Sequence, residues 1–362
     1  MLKPVANVAA MAPYALPDIS AADGQTAIVL AQNEHAFPPS PAVQAAVQAA
    51  VSGGQLYPDS DWNELRSAIA DVHGLDRERI VCGAGSMELM SSLMLAYMSS
   101  GSRLLMTRYG YLFMRTLCRL VGAEVDVAEE PGYRVDVELI LQSLREDTRL
   151  VFLVNPGNPS GTVIHNDEIR RLRAALPEDV LLLVDEAYAE FVDDGFHQPL
   201  FDLAEAGNTV ITRTFSKIYG LAGLRVGWGY FPTAVRDEVR KVINPSSVSA
   251  VSQAAATAAM RDQAHAEKDR AYIAEQRDYL SRSIADLGLP VVPSQTNFVL
   301  VDFGTVERAD SAFDFLRRHA LVVRPMKGYG LPACLRITVG TAEQMQLTAA
   351  TLADWRQTES GN

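Results

Sequence analysis

The sequence predicts an α/β protein in which a large unit, with a mostly parallel sheet between helices, is followed by a smaller α+β unit. Two patterns predict it. Short runs rich in Val, Leu and Ile at 103–106, 150–154, 180–184 and 210–212 are separated by helix-length segments, as buried parallel strands joined by helices require. After Pro245 the texture becomes Ala-rich at 248–260 and then long, charged and amphipathic at 263–287, which reads as a connector between two units. With 362 residues, 48% of them hydrophobic and 21% charged, the chain has ample apolar surface for such a core, and a disordered chain is excluded.

The elements follow in order. Small apolar residues recur with Gln at helical spacing over 42–51 until Ser52, Gly53 and Gly54 stop them. A second helix over 62–72 carries Leu65, Ile69 and Val72 on one stripe, and the apolar run 79–82 is the next strand. The alternation continues with a helix at 86–98, a strand at 103–106, a helix at 111–120 closed by Gly122, and a strand at 123–127. Beyond the connector, whose apolar candidates are Tyr272, Ile273, Tyr279, Leu280 and Ile284, strands at 297–302, 321–323 and 335–339 surround a helix at 311–319. The expected division is an N-terminal segment 1–45 packing with the small domain, a large domain 46–245, and a connector helix with the C-terminal small domain over 246–362.

Composition narrows the partners. A net charge of −12 repels a phosphate backbone, so nucleic acid is not an expected partner. Cys82, Cys118 and Cys334 are far apart, form no CxxC pair and suggest neither a disulfide framework nor zinc. No histidine cluster has metal-ligand spacing, so no metal is expected. No apolar run approaches the roughly 18 to 20 residues of a membrane span. The apolar stretch 5–12 contains Asn7 and meets Pro13 at once, which argues against a signal peptide. A reducing cytoplasm is the expected setting, and no membrane partner is expected.

Four polar motifs each follow a predicted strand: Gly83-Ala84-Gly85-Ser86, Asn155-Pro156-Gly157-Asn158-Pro159-Ser160-Gly161, Asp185-Glu186-Ala187-Tyr188 and Phe215-Ser216-Lys217. In an open parallel sheet the carboxyl ends of the strands converge on one crevice, so these motifs are expected to meet. A lysine at such an edge is placed for partial desolvation and use as a nucleophile.

The set Asn158-Pro159-Ser160-Gly161, Asp185-Glu186-Ala187-Tyr188 and Ser216-Lys217, with Arg225 eight positions on, resembles the fold-type I pyridoxal phosphate aminotransferases. The likeness runs from about Asn33 to Thr341. Gln32-Asn33-Glu34, Tyr57-Pro58-Asp59, Gly83-Ala84-Gly85-Ser86 and Leu335-Arg336-Ile337-Thr338-Val339-Gly340-Thr341 resemble the histidinol-phosphate aminotransferase branch most. The resemblance implies the pyridoxal phosphate-dependent transferase fold of type I and a ping-pong exchange of an amino group. The partners would be an amino acid, or a histidinol-phosphate-like amine, and a 2-oxo acid or related ketone. A decarboxylase or oxidase of an amino acid on the same fold is the alternative, because it would share every cofactor residue.

The resemblance also implies roles. Lys217 would join the cofactor aldehyde as a Schiff base, Asp185 would keep the pyridine nitrogen protonated, and Asn158 and Tyr188 would donate to the phenolic oxygen. Gly85, Ser86, Met87, Thr214, Ser216 and Arg225 would hold the phosphate, as suits a glycine-rich turn opening a helix. Tyr111 matches the aromatic that stacks on the ring, with Tyr109 as rival. Tyr57 would reach the cofactor of the partner subunit in a homodimer with shared active sites. Arg336 would pair with a substrate carboxylate as a fork, and Arg324, Asn33 and Tyr14 would lie on the substrate side. The chain departs from that branch at Asn33-Glu34-His35-Ala36-Phe37, where Asn-Glu-Asn-Pro is common. That segment covers the substrate in similar enzymes, so the change leaves a substrate other than histidinol phosphate open.

Overall fold

The structure, a computed structural model, describes residues 2–11, 19–20, 26–193 and 199–360. Among the described residues the strands are β1 (Ile28–Leu30), β2 (Ile80–Gly83), β3 (Arg103–Thr107), β4 (Glu124–Ala128), β5 (Thr148–Val154), β6 (Leu181–Asp185), β7 (Thr209–Thr214), β8 (Gly227–Tyr230), β9 (Val291–Val292), β10 (Phe298–Asp302), β11 (Leu321–Pro325) and β12 (Cys334–Thr338). They form two sheets.

The larger sheet has the order β2-β8-β7-β6-β5-β3-β4. All its neighbours pair in parallel except β8, which runs antiparallel to both β2 and β7. The centre is β5, β6 and β7, whose residues are buried almost without interruption, as expected of strands covered by helices on both faces. The antiparallel β8 did not show in the sequence because Gly227-Trp228-Gly229-Tyr230 reads as a turn. Its orientation brings its first residue to the same sheet edge as the last residues of its neighbours, since Gly227 pairs with both Gly83 and Thr214.

The smaller sheet has the order β1-β11-β12-β10-β9. The early strand β1 joins it by pairing in parallel with β11, which carries the start of the chain across to the late strands. Helix Gln263–Ala285 begins at an Asp262 cap, whose carboxylate accepts from the His265 amide, and buries Ile273, Leu280 and Ile284. Tyr272 and Tyr279 are only partly buried against the same core. The unread C-terminal helix Ala342–Ser360 packs beside it. No helix among the described residues is long and apolar enough to cross a membrane.

Candidate active site

The strand ends meet as the parallel topology demands. A cavity of about 450 Å³ opens at the carboxyl edge of the large sheet and is roofed by the small one. Its walls hold Ser86 and Met87 after β2, Tyr111 after β3, Asn158 after β5, Asp185 and Tyr188 at the end of β6, and Thr214 at the end of β7 with Ser216 and Lys217 just beyond it. Arg225 enters just before β8, Arg324 and Arg336 come from β11 and β12, and Asn33 follows β1. Gly85 stands next to this wall as the residue preceding helix Ser86–Tyr97. Tyr57 is 92% exposed and does not line the cavity of its own chain. Tyr14 lies outside the described residues.

Of the two rival aromatics, Tyr111 lines the cavity, its hydroxyl 3.1 Å from the Met87 sulfur. Tyr109 packs instead with Met326, Leu331 and Cys334, its ring 6.0 Å from that of Tyr133. Tyr329 also lines the cavity and was missed, because a tyrosine between two glycines in a short loop carries no sequence signal. His35 and Phe37 are absent from the lining and pack against the connector helix.

Asp185 is 5% exposed, and burial pushes its carboxyl up to about 7. The Thr212 hydroxyl, donating to Oδ1 at 3.0 Å, and the Lys217 charge offset this only in part. A buried carboxylate so placed is a site for a protonated nitrogen. The Lys217 amine is drawn down to about 8, first by desolvation and then by Arg336 and Arg225, against the opposing charges of Glu34 and Asp185. Its Nζ donates to the carbonyls of Asn33 at 3.1 Å and Gln32 at 3.4 Å, and stands 5.7 Å from the Tyr188 ring centre. Burial raises Tyr188 to about 12, so its phenol remains a donor, and its oxygen accepts from Asn33 Nδ2 at 2.8 Å.

The wall formed by Gly85, Ser86 and Arg225 favours an anion. Gly85 has φ +82, and a Cβ there would lie 2.5 Å from the Arg225 guanidinium. The guanidinium therefore stands against the positive end of helix Ser86–Tyr97, a repulsive pairing unless an anion lies between them. Arg225 itself has φ 49, which is costly for a residue with a Cβ and keeps its side chain aimed at this turn. It donates to the Ser216 hydroxyl at 3.3 Å, and the Thr214 hydroxyl accepts from the Ser216 amide at 3.1 Å. A ring-nitrogen partner, an amine of lowered basicity and a phosphate-sized anion cradle fit pyridoxal phosphate.

Residues 25–352 match the family of class I and II aminotransferases. The chain belongs to that family. It is a pyridoxal phosphate-dependent aminotransferase. The histidinol-phosphate aminotransferase of Granulibacter bethesdensis is 43% identical over 97% of this chain and 95% of its own length. That of Dinoroseobacter shibae is 44% identical over 90% of each chain. The crystal structure of histidinol-phosphate aminotransferase from Sinorhizobium meliloti, in complex with pyridoxal 5′-phosphate, superposes with a TM-score of 0.86 over 92% of both chains at 31% identity. An aspartate aminotransferase mutant of Thermus thermophilus shares the fold, with a TM-score of 0.86 at 21% identity over 98% of this chain and 100% of that one. These relatives favour amino-group transfer by this aminotransferase over the decarboxylase or oxidase alternative.

Proposed function

We propose that this aminotransferase uses Lys217 as its reacting amine and takes histidinol phosphate, or an amine with a similar anionic end, as amino donor to a 2-oxo acid. The observation that carries the substrate reading is a pair of like charges. Arg324 and Arg336 are direct cross-strand partners on β11 and β12, and both line the cavity. Two cations facing one another across a sheet destabilise it unless an anion binds between or beside them. The names of the relatives agree with a phosphorylated amine.

Bound pyridoxal phosphate supplies an aldehyde for the substrate amine and a ring that takes up the electrons left when Cα loses its proton. The chain does the rest. Asp185 would keep a proton at the ring nitrogen, and Asn158 and Tyr188 would donate to the ring's phenolic oxygen. The Lys217 amine, drawn down to about 8, would take the proton from the substrate Cα and hold it for the transfer that completes the amino-group exchange. Ser86, Met87, Thr214, Ser216 and Arg225, with Gly85 shaping the turn, would hold the phosphate, and Tyr111 would cover the ring face. Arg336 grips the substrate with Arg324 beside it, while Asn33 and Tyr14 belong to the substrate side.

We place Tyr57 in the site of a second copy, in a homodimer with shared active sites. Its high exposure, beside exposed Leu56 and Val51, supports this. Within the proposed division at 45 and 245, the placing of the N-terminal segment with the small domain is supported by β1 joining the small sheet. The three unpaired, buried cysteines suit the cytoplasm. Steady-state transamination by the holoenzyme tests the substrate: kcat/KM for histidinol phosphate should exceed that for unphosphorylated histidinol by about a hundredfold or more. Equal values would reject the phosphate reading.

A further inference from the structure

One buried polar cluster beside the cavity has no part in that mechanism. Asp269, on helix Gln263–Ala285, is 5% exposed, and two imidazoles face its Oδ2: Nε2 of His35 at 3.3 Å and Nε2 of His265 at 3.3 Å. A buried carboxylate needs such partners. His265 comes from one turn earlier on the same helix. His35 arrives from the segment in which Gln32, Asn33 and Glu34 line the cavity.

The His35 side chain is 3% exposed, and its Nδ1 lies 3.2 Å from the amide nitrogen of Phe37. The same Nδ1 lies 3.2 Å from the Phe37 carbonyl oxygen, so the ring is held to its own turn whether Nδ1 accepts from the amide or donates to the carbonyl. The Phe37 ring packs edge-on against Tyr272, with centroids 4.9 Å apart, three residues beyond Asp269. The turn 35–37 is thus docked on the connector helix by one polar and one aromatic contact.

What the docking holds lies on the cavity side. The Asn33 carbonyl accepts from Lys217 Nζ, and the Asn33 side chain donates to the Tyr188 hydroxyl. Asn33 has φ 54, a conformation that persists only where neighbours enforce it. Asn297 supplies part of the support, its Nδ2 donating to the carbonyls of Asn33 at 3.1 Å and Glu34 at 3.3 Å. The His35 ring also stands over Gly220, with Cβ and Cγ 3.8 Å from where a Cβ there would project. The Gly220 amide in turn closes onto the Lys217 carbonyl at 3.0 Å. His35 therefore belongs to the segment that accepts from the lysine amine and lies beside the turn that carries the lysine.

The geometry points to His35 as a positioning residue for Lys217: anchored on Asp269, it fixes Asn33 against the amine and the Tyr188 hydroxyl. The inference rests on Lys217 being the reacting amine, and its test separates the two. His35→Gln keeps a donor where Nε2 stands, whereas His35→Asn keeps a polar atom near Nδ1 but falls short of Asp269. His265 leaves the carboxylate a partner in both. In the cofactor-free protein, backbone amides across 28–37 should exchange with deuterium about tenfold faster in His35→Asn than in the parent or His35→Gln. In the holoenzyme, kcat with histidinol phosphate should fall about tenfold in His35→Asn with KM within about twofold, and His35→Gln should recover most of it. Borohydride tagging, read by peptide mass, should mark Lys217 in every protein. A tag on another lysine overturns the Lys217 assignment. With Lys217 tagged, equal exchange and equal kcat in all three proteins, or an equal loss in both variants, overturns the role of His35 alone.

Discussion

Asn158 Oδ1 accepts a hydrogen bond from the Arg336 guanidinium, which also donates to the Ala31 carbonyl at 3.0 Å. The link joins the loop after β5 to β12 and therefore ties the two sheets across the cavity. The guanidinium lies 5.2 Å from the Phe298 ring centre and is 6% exposed, so its fork is already aimed. Arg336→Lys keeps the charge but loses the planar fork. The expected result is a KM for the amino donor raised about ten- to a hundredfold with a smaller change in kcat, measured by steady-state transamination. An unchanged KM would remove Arg336 from the substrate.

The Asp185 carboxyl, the proposed partner of the ring nitrogen, also bears on stability. Its ordinary value is 3.8, and burial raises it to about 7, so between those values the folded cofactor-free protein holds a proton that the unfolded chain has lost. Stability from this group is therefore full below about pH 4 and declines as pH rises to about 7, by on the order of 4 kcal/mol. Asp185→Asn keeps the hydrogen-bond partner for Thr212 and has nothing to ionise. Urea denaturation of the cofactor-free proteins at pH 5 and pH 8 should show the variant gaining on the parent as pH rises, while its transaminase activity is lost. A gap independent of pH would contradict the burial argument.

Much of this site was legible because its parts obey local rules. Strands β5 to β7 are runs of Val, Leu and Ile, and a parallel topology obliges the motifs after them to converge, so Asn158, Asp185 and Lys217 could be read together. Residues whose role depends on distant pairing were not legible. The strand β8 is half glycine and looks like a turn until its register with Gly83 and Thr214 is known. Tyr111 and Tyr109 are one glycine apart, and only the packing of Tyr109 with Met326 and Leu331 separates them. The charged stripe of helix Gln263–Ala285 reads as solvated, yet Asp269 is buried because two histidines reach it.

Gly227 shows what that register demands. A Cβ at this position would lie 2.4 Å from the Ser86 amide nitrogen, 2.7 Å from the Gly85 carbonyl carbon and 3.0 Å from the Arg213 carbonyl oxygen, all backbone atoms that cannot swing aside. Gly227→Ala must push the turn before helix Ser86–Tyr97 away from β8, spoiling the proposed phosphate cradle. The dissociation constant for pyridoxal phosphate should rise about tenfold or more, with a thermal midpoint lowered by several degrees, on the order of 1–3 kcal/mol of overpacking. Calorimetric titration and thermal scans of the variant check both. Parent-like affinity would place the phosphate elsewhere.

The proposed shared-site dimer makes a prediction about mixtures. Tyr57 is 92% exposed in a single chain and follows the glycine-containing turn after helix Pro41–Val51, which leaves its ring open to a neighbouring copy. If it completes the partner's phosphate site, Lys217→Ala and Tyr57→Ala each weaken or abolish both sites of their own homodimer. A mixed dimer has one site that combines the lysine of the Tyr57→Ala subunit with the tyrosine of the Lys217→Ala subunit, and that site is whole. Co-expression should therefore restore about a quarter of parental activity if subunits pair at random and sites act independently. Activity no greater than the sum of the two homodimers would show that Tyr57 serves no neighbouring site.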